Sequence, residues 1–120
     1  MHRLAINKRE FAAAVAAAAH CDDRLAVGLA GRSAFIMTPS RPVFMEVPGR
    51  YVVPETDEAN GLAYVCARCL LYALGTVVEE TAEEVVVSIP VDGGHAYIWA
   101  QGGLYRVPRG GEDGHCGRFV

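Results

Sequence analysis

Two stretches of the chain show the same order of predicted elements, and this order constrains the fold more than any other feature. The pattern over residues 11–47 predicts a helix followed by three short strands, and residues from about 67 to 107 repeat that order. Sequence identity between the two stretches is slight, so the repeat is one of pattern. Two such αβββ units side by side predict an α+β domain with antiparallel sheet on one surface and two helices on the other.

The first helix has a well-marked start. The opening RLAIN alternates as a short strand does, and its last residue, Asn7, is a good N-cap. Glu10 stands three residues later, in the reciprocal capping position. The residues that follow are mostly alanine, the best helix former, so the sequence predicts a helix over residues 11–19.

The strands are predicted from alternating apolar runs bounded by Gly, Pro and Asp-Gly turn signals. In chain order they cover residues 24–30, 33–38, 42–47, 50–54, 85–89, 96–100 and 104–107. A turn is predicted at Pro48-Gly49 and a hairpin at Asp92-Gly93. Residues 1–108 are therefore expected to form one domain, and the Gly-rich residues 109–120 a flexible tail.

The second helix allows two interpretations. It can start after a cap at Thr56 and cover residues 57–74, with Gly75 as the residue that ends it. Gly61 weakens such a helix. Alternatively, residues 62–66 are extended and the helix covers only residues 67–74.

Composition and length favour a packed cytoplasmic domain. Hydrophobic residues make up 52% of the 120 residues, and the net charge of −3 gives no overall basic field. No run of 18 or more apolar residues exists, so no membrane span is predicted. The alanine-rich run is too weakly hydrophobic for a signal peptide, and His20 before Cys21 does not fit a cleavage site. A cytoplasmic protein with reduced thiols is expected.

Candidate catalytic and metal-binding groups are few. The pair Cys66-x-x-Cys69, with His20-Cys21 and His115-Cys116, has the residue types of a zinc site. The first pair lies in an apolar helical run, however, and this favours buried thiols. The Gly pairs lack phosphate-loop spacing. We therefore expect no enzyme activity, no cofactor and no metal.

Three segments resemble one domain of the bacterial sliding DNA clamp, the beta subunit of the replicative DNA polymerase. RLAINKREFAAAV resembles the first strand and helix of such a domain, and VCARCLLYAL is similar to the pattern that opens its second helix. EEVVVSIPVDGGHAYIWAQGGLYRVP follows its closing strands. The resemblance covers nearly the whole chain and implies a DNA-clamp-like fold with inner helices and outer sheets.

The same resemblance implies a function. The chain would be a small non-enzymatic module, associated with DNA replication or DNA binding, that self-assembles into a ring around duplex DNA. Such a ring carries six domains, so a one-domain chain has to pair with copies of itself through sheet edges. Phosphate contacts, which need not read sequence, would come from Lys8, Arg9, Arg24 and Arg68.

A second resemblance implies a different function. The segment SAFIMTPSRPVFMEVPGRYVVPETDEANGLAYVCARCLLYAL is similar to the middle of plasmid-borne antirestriction proteins, and TDEANGL matches the start of one of their helices. The resemblance covers about a third of the chain. It implies an antirestriction or anti-defence inhibitor that binds another protein through exposed strand edges and the acidic turn at residues 79–84.

Overall fold

The apolar runs of the sequence form strands and helices in the computed structural model, which describes residues 3–39, 44–52, 61–90, 94–100, 103–109 and 118–119. The helices are α1 (Lys8–Ala19) and α2 (Ala67–Tyr72), and α2 continues into a π-helical turn at Ala73–Val77. The strands are β1 (Leu4–Asn7), β2 (Arg24–Ala30), β3 (Ser33–Met37), β4 (Phe44–Tyr51), β5 (Gly61–Cys66), β6 (Glu84–Ser88), β7 (Tyr97–Ala100), β8 (Gly103–Arg106) and β9 (Arg118–Phe119).

All of these strands belong to one curled antiparallel sheet, in the order β5-β2-β3-β4-β1-β6-β7-β8-β9. The two repeat units interlock through their first strands. Strand β1 of the first unit pairs with β6 of the second, and β5 of the second unit pairs with β2 of the first. The predicted α+β fold with two αβββ repeats is confirmed, and a strand precedes each helix: β1 at the predicted RLAIN strand and β5 at the segment that one interpretation gave as extended.

The core lies between the helices and one face of the sheet. Helix α1 buries Phe11 and Val15 completely, and Leu70 of α2 joins them in the same cluster as Val27 and Ile98 of the sheet. The start of α1 is capped as predicted, because the side-chain Oδ1 of Asn7 accepts a hydrogen bond from the backbone N–H of Glu10 at 2.9 Å.

The shorter interpretation of the second helix is correct. Residues 61–66 form β5, and six of its residues are paired with β2, from Leu29 opposite Gly61 to Arg24 opposite Cys66. Gly61 lets β5 lie close to Ile89, since a Cβ placed at Gly61 would lie 2.9 Å from the Cβ of Ile89. Residues 57–60, where the longer helix would begin, lie outside the described residues.

The predicted turn at Pro48-Gly49 is wrong. Strand β4 continues through these residues, but it changes partner there: residues 44–48 pair with β3, and residues 49–51 pair with β1. Proline has no N–H for a ladder hydrogen bond, and a change of partner is a position where that loss is tolerated. The next residue, Gly49, suits the close approach of β4 to β1, because a Cβ there would lie 2.7 Å from the carbonyl oxygen of Ala5.

Some predicted segments lie partly or wholly outside the described residues. The hairpin at residues 92–93 lies outside the described residues. Within the predicted tail, Arg118 and Phe119 form β9 and pair with Arg106 and Tyr105 of β8. Within the described ranges, no helix combines the length and apolar character needed to cross a membrane.

Candidate nucleic-acid interface

The two helices lie side by side and run in opposite directions. The start of α1 lies next to the segment after α2, since the backbone N–H of Lys8 donates to the carbonyl of Glu83 at 2.9 Å. The start of α2 lies beyond the end of α1, because the N–H of Ala67 donates to the carbonyl of Asp23, also at 2.9 Å. A twelve-residue helix is about 18 Å long, so basic groups at the two ends of this helix layer are well separated.

The solvent-facing side of the helix layer is smooth and carries little charge. On α1 it presents Arg9, Glu10, Ala13 and Ala17, and on α2 it presents Arg68 and Tyr72, which is 52% exposed. Arg68 and Tyr72 are four residues apart and therefore share one face of α2. The small residues of this side allow close approach to another molecule, but among these six residues only Arg9 and Arg68 are basic and Glu10 is acidic.

Lys8 lies at an acidic end of the layer. Its ammonium Nζ donates to the backbone carbonyl of Glu79 at 2.9 Å. Next to it is a cleft of about 680 Å³, and both Lys8 and Arg9 line it together with Asn7, Ala12, Glu80, Thr81, Ala82 and Glu83. The carboxylates of Glu80 and Glu83 offset the two positive charges, which lowers the attraction of this end for phosphate.

Arg24 lies on the opposite side of the sheet from the helices. In β2 the side chains of Leu25, Val27 and Leu29 are buried, so Arg24 faces the other way. Its guanidinium lies 4.5 Å from the ring centroid of Tyr64, which is exposed on that outer face. In the sequence RLAVGLA, large apolar residues alternate with small ones, and this alternation indicates the face on which Arg24 lies.

The structure therefore does not gather the four predicted phosphate contacts on one surface. Arg9 and Arg68 lie on the solvent side of the helix layer, near its opposite ends. Lys8 is engaged with the segment after α2, and Arg24 is on the outer sheet face.

The acidic segment at residues 79–84 is tied to the rest of the domain at both ends. Glu84 pairs with Arg50 of β4, with 2.6 Å between the guanidinium Nη2 and the carboxylate Oε1. The hydrogen bond and the charge of Glu84 raise the pKa of Arg50 above its usual value. At the other end, the carbonyl of Glu79 accepts the hydrogen bond from Lys8. The segment is thus a fixed part of the surface.

Among the described residues, the outer edges of β5 and β8 have backbone partners, whereas one side of β4 is open over residues 44–48. Along the outer edge of β5, the N–H of Cys66 donates to the carbonyl of Pro108 at 2.8 Å, and Ala63 forms a bridge with Gly94. The outer edge of β8 is paired with β9. In the part of the chain that the structure describes, residues 44–48 of β4 pair on one side only, with β3. An edge of this kind can accept a strand from another molecule.

Of the cysteines that the structure describes, Cys69 is buried as expected, whereas Cys21 and Cys66 are half-buried. Cys66 is the last residue of β5, and Cys69 is buried in α2. Across the described ranges, no three His, Cys, Asp or Glu side chains come together as a metal-binding group. His115 and Cys116 lie outside those ranges.

Comparison with solved structures identifies the fold. The DNA polymerase III subunit beta of Pseudomonas aeruginosa matches with a TM-score of 0.68 and 15% identity over 90% of this chain. A DnaN sliding clamp from Bartonella birtlesii bound to griselimycin matches with a TM-score of 0.67 and 14% identity over 89%. A putative DNA polymerase III beta subunit from Eubacterium rectale gives 0.66 and 14% over 89%.

The match covers only part of each of these solved structures. The chain covers 30%, 30% and 29% of those three proteins, so it corresponds to about a third of each. No model of a known protein family matches the sequence, and no curated protein matches it. These comparisons do not support the resemblance to antirestriction proteins. The segment of this chain that carries it, TDEANGL at residues 56–62, lies mostly outside the described residues. The chain has the fold of a single sliding-clamp domain.

Proposed function

We propose that this protein is a non-enzymatic, clamp-like module that acts in DNA replication or DNA binding by assembling with copies of itself around duplex DNA. The observation that carries the proposal is the fold match to bacterial sliding clamps over about nine-tenths of the chain. In this assembly the side formed by α1 and α2 faces the DNA. Closure of the ring uses sheet edges, and the open stretch of β4 at residues 44–48 is the candidate for one half of that contact.

The placement of the basic groups supports weak binding to the phosphates of DNA. A ring holds DNA by its topology, so a few weak and sequence-independent contacts are enough for it to slide. Among the four candidate contacts, Arg9 and Arg68 have the most favourable position, because their side chains are exposed on the helix layer. Arg9 shares the acidic cleft with Lys8, but Lys8 is the weaker candidate because its ammonium already donates to the carbonyl of Glu79. Arg24 would reach DNA only from the outer face of the sheet.

We expect the Arg9→Ala/Arg68→Ala double variant to bind duplex DNA more weakly and with less dependence on salt. Each lost phosphate contact makes the slope of log K against log salt concentration shallower by about 0.9, so two contacts correspond to about 1.8 per protomer. Fluorescence anisotropy with a labelled duplex at several salt concentrations measures both the affinity and the slope.

The matched control for this experiment is Arg32→Ala. Arg32 is exposed in the turn between β2 and β3 and belongs to neither helix, so its loss should leave the salt slope unchanged. Lys8→Ala and Arg24→Ala should each have smaller effects than Arg9→Ala or Arg68→Ala. Equal DNA affinity for the wild type and for a variant with alanine at all four positions would contradict the proposed interface.

A further inference from the structure

The outer face of the sheet formed by β5, β2, β3 and β4 carries large exposed apolar side chains. Phe44 is 61% exposed, Leu62 47% and Tyr64 41%. Isolated apolar residues on a surface are ordinary, but a contiguous apolar patch on one sheet face marks an interaction surface.

Strand register makes these residues contiguous. One row across the four strands reads Tyr64, Ala26, Met37 and Phe44. The next row reads Leu62, Gly28, Phe35 and Glu46. Directly paired residues lie on the same face of a sheet, so both rows belong to the outer face. We call this surface, with Arg24 beside Tyr64, the outer patch.

The middle of the outer patch is covered by its own side chains, since Ala26 of β2 is only 7% exposed and Gly28 is buried. The small residues of β2 lie between larger residues of β5 and β3. A Cβ at Gly28 would lie 3.7 Å from Cδ1 of Leu62 and 3.8 Å from Cε of Met37, so these two side chains lie beside it. On β3 and β4 the rings of Phe35 and Phe44 are in contact, with centroids 5.2 Å apart.

Opposite charges stand at opposite corners of the outer patch. Arg24 lies at one corner, held over the ring of Tyr64. Glu46 lies at the other corner, two strands away on β4, where its Oε2 accepts a hydrogen bond from the hydroxyl of Ser33 at 2.6 Å. Each side chain thus has a contact that holds it on the outer face.

We propose that the outer patch binds a second copy of this chain face to face. A two-fold axis through the middle of the patch exchanges the two corners. Arg24 of each copy then meets Glu46 of the other, so the dimer contains two equivalent ion pairs. The exposed side chains of Phe44, Leu62 and Tyr64 of one copy can then pack against the patch of the other. The charge pattern is complementary to itself, and this is why we favour a second copy over an unrelated partner.

The size of the patch predicts a weak and reversible dimer. Four strands spaced about 4.8 Å apart and about five residues long give a face on the order of 300 Å². A standard stable interface buries roughly 800 Å² on each partner. This contact uses side chains of the outer sheet face and is separate from the helix layer. Phe44 and Glu46 also lie in the stretch of β4 whose backbone edge is proposed to close the ring, so the charge reversal, which acts on side chains and not on backbone pairing, is what distinguishes the two contacts.

Sedimentation equilibrium of the full chain over micromolar to millimolar concentration tests this proposal. The weight-average mass of the wild type should rise with concentration from 12.9 kDa toward twice that value. Arg24→Glu and Glu46→Arg alone should each lower the association constant about tenfold or more, because each places like charges opposite one another. The double variant Arg24→Glu/Glu46→Arg should recover most of the wild-type association, since both pairs are restored with reversed sign.

Two further variants complete the test. Phe44→Ser removes apolar area from the same patch and should also weaken association, whereas Arg106→Glu changes an exposed charge on β8 and should not. Circular dichroism melting curves verify that each variant is folded. A wild type that stays monomeric at millimolar concentration would overturn the proposal. The proposal would also be overturned if the single reversals left association unchanged, or if the double variant did not recover it. These results do not test DNA binding through the helices.

Discussion

Replacement of Phe11 by alanine is expected to lower the free energy of unfolding by about 3–5 kcal/mol. Phe11 is completely buried and is the largest of the fully buried side chains, and it packs from α1 into the core that joins helices and sheet. Its loss removes apolar contact area and leaves a cavity that the surrounding strands only partly fill. For a domain of this size the loss is a large part of a total stability of roughly 5–15 kcal/mol.

Urea unfolding, followed by circular dichroism and by the fluorescence of the single tryptophan, Trp99, measures this effect. Phe44→Ala is the matched control, because it removes the same side chain from an exposed position and should change stability by only about 0.5 kcal/mol. Phe11→Leu, which keeps most of the volume, should cost less than about 1.5 kcal/mol and remains measurable if the alanine variant does not fold. Equal losses for Phe11→Ala and Phe44→Ala would contradict the described core.

Gly49→Ala is expected to cost about 2–3 kcal/mol although it adds only one methyl group. The new Cβ would lie 2.7 Å from the carbonyl oxygen of Ala5 and 2.9 Å from Cγ of Leu4. The first of these atoms belongs to the backbone of β1, so relief requires β1 and β4 to move apart. That movement would disturb the ladder at the point where β4 changes its pairing from β3 to β1.

Gly75→Ala is the control that separates this steric effect from the general cost of replacing glycine. Gly75 is exposed in the π-helical turn, and no atom lies within 4 Å of a Cβ placed there. Alanine is favoured over glycine in helical backbone, so this variant should be neutral or more stable by up to about 1 kcal/mol. Thermal melting of both variants makes the comparison, and a neutral Gly49→Ala would show that the close approach of β1 and β4 is absent.

Much of the fold could be predicted from local patterns. The strand at Arg24–Ala30 and the capped alanine helix were clear from alternation, from Asn7 and from alanine content. The Pro48-Gly49 prediction failed because both residues are usual in turns, and only the tertiary arrangement shows a strand that changes partners there. The start of the second helix was ambiguous for the same kind of reason, since pairing with β2 decides that residues 61–66 are extended.

The candidate site was less predictable than the fold. Residue types pick out Lys8 and Arg24 as basic groups near helix ends, but local sequence does not show that Glu79 accepts a hydrogen bond from one of them. The position of Arg24 on the outer face could have been inferred from β2, where the large residues Leu25, Val27 and Leu29 alternate with small ones. The outer patch could not, because it depends on the order β5-β2-β3-β4, which brings together residues far apart in the chain.

The central claim is that this single clamp-like domain assembles around duplex DNA. Light scattering coupled to size exclusion, at low micromolar protein with and without duplex DNA, tests it most directly. We predict that the protein mass in the DNA complex is a multiple of 12.9 kDa, as expected for several copies on one duplex. A protein that elutes as the same monomer whether or not DNA is present would contradict the claim.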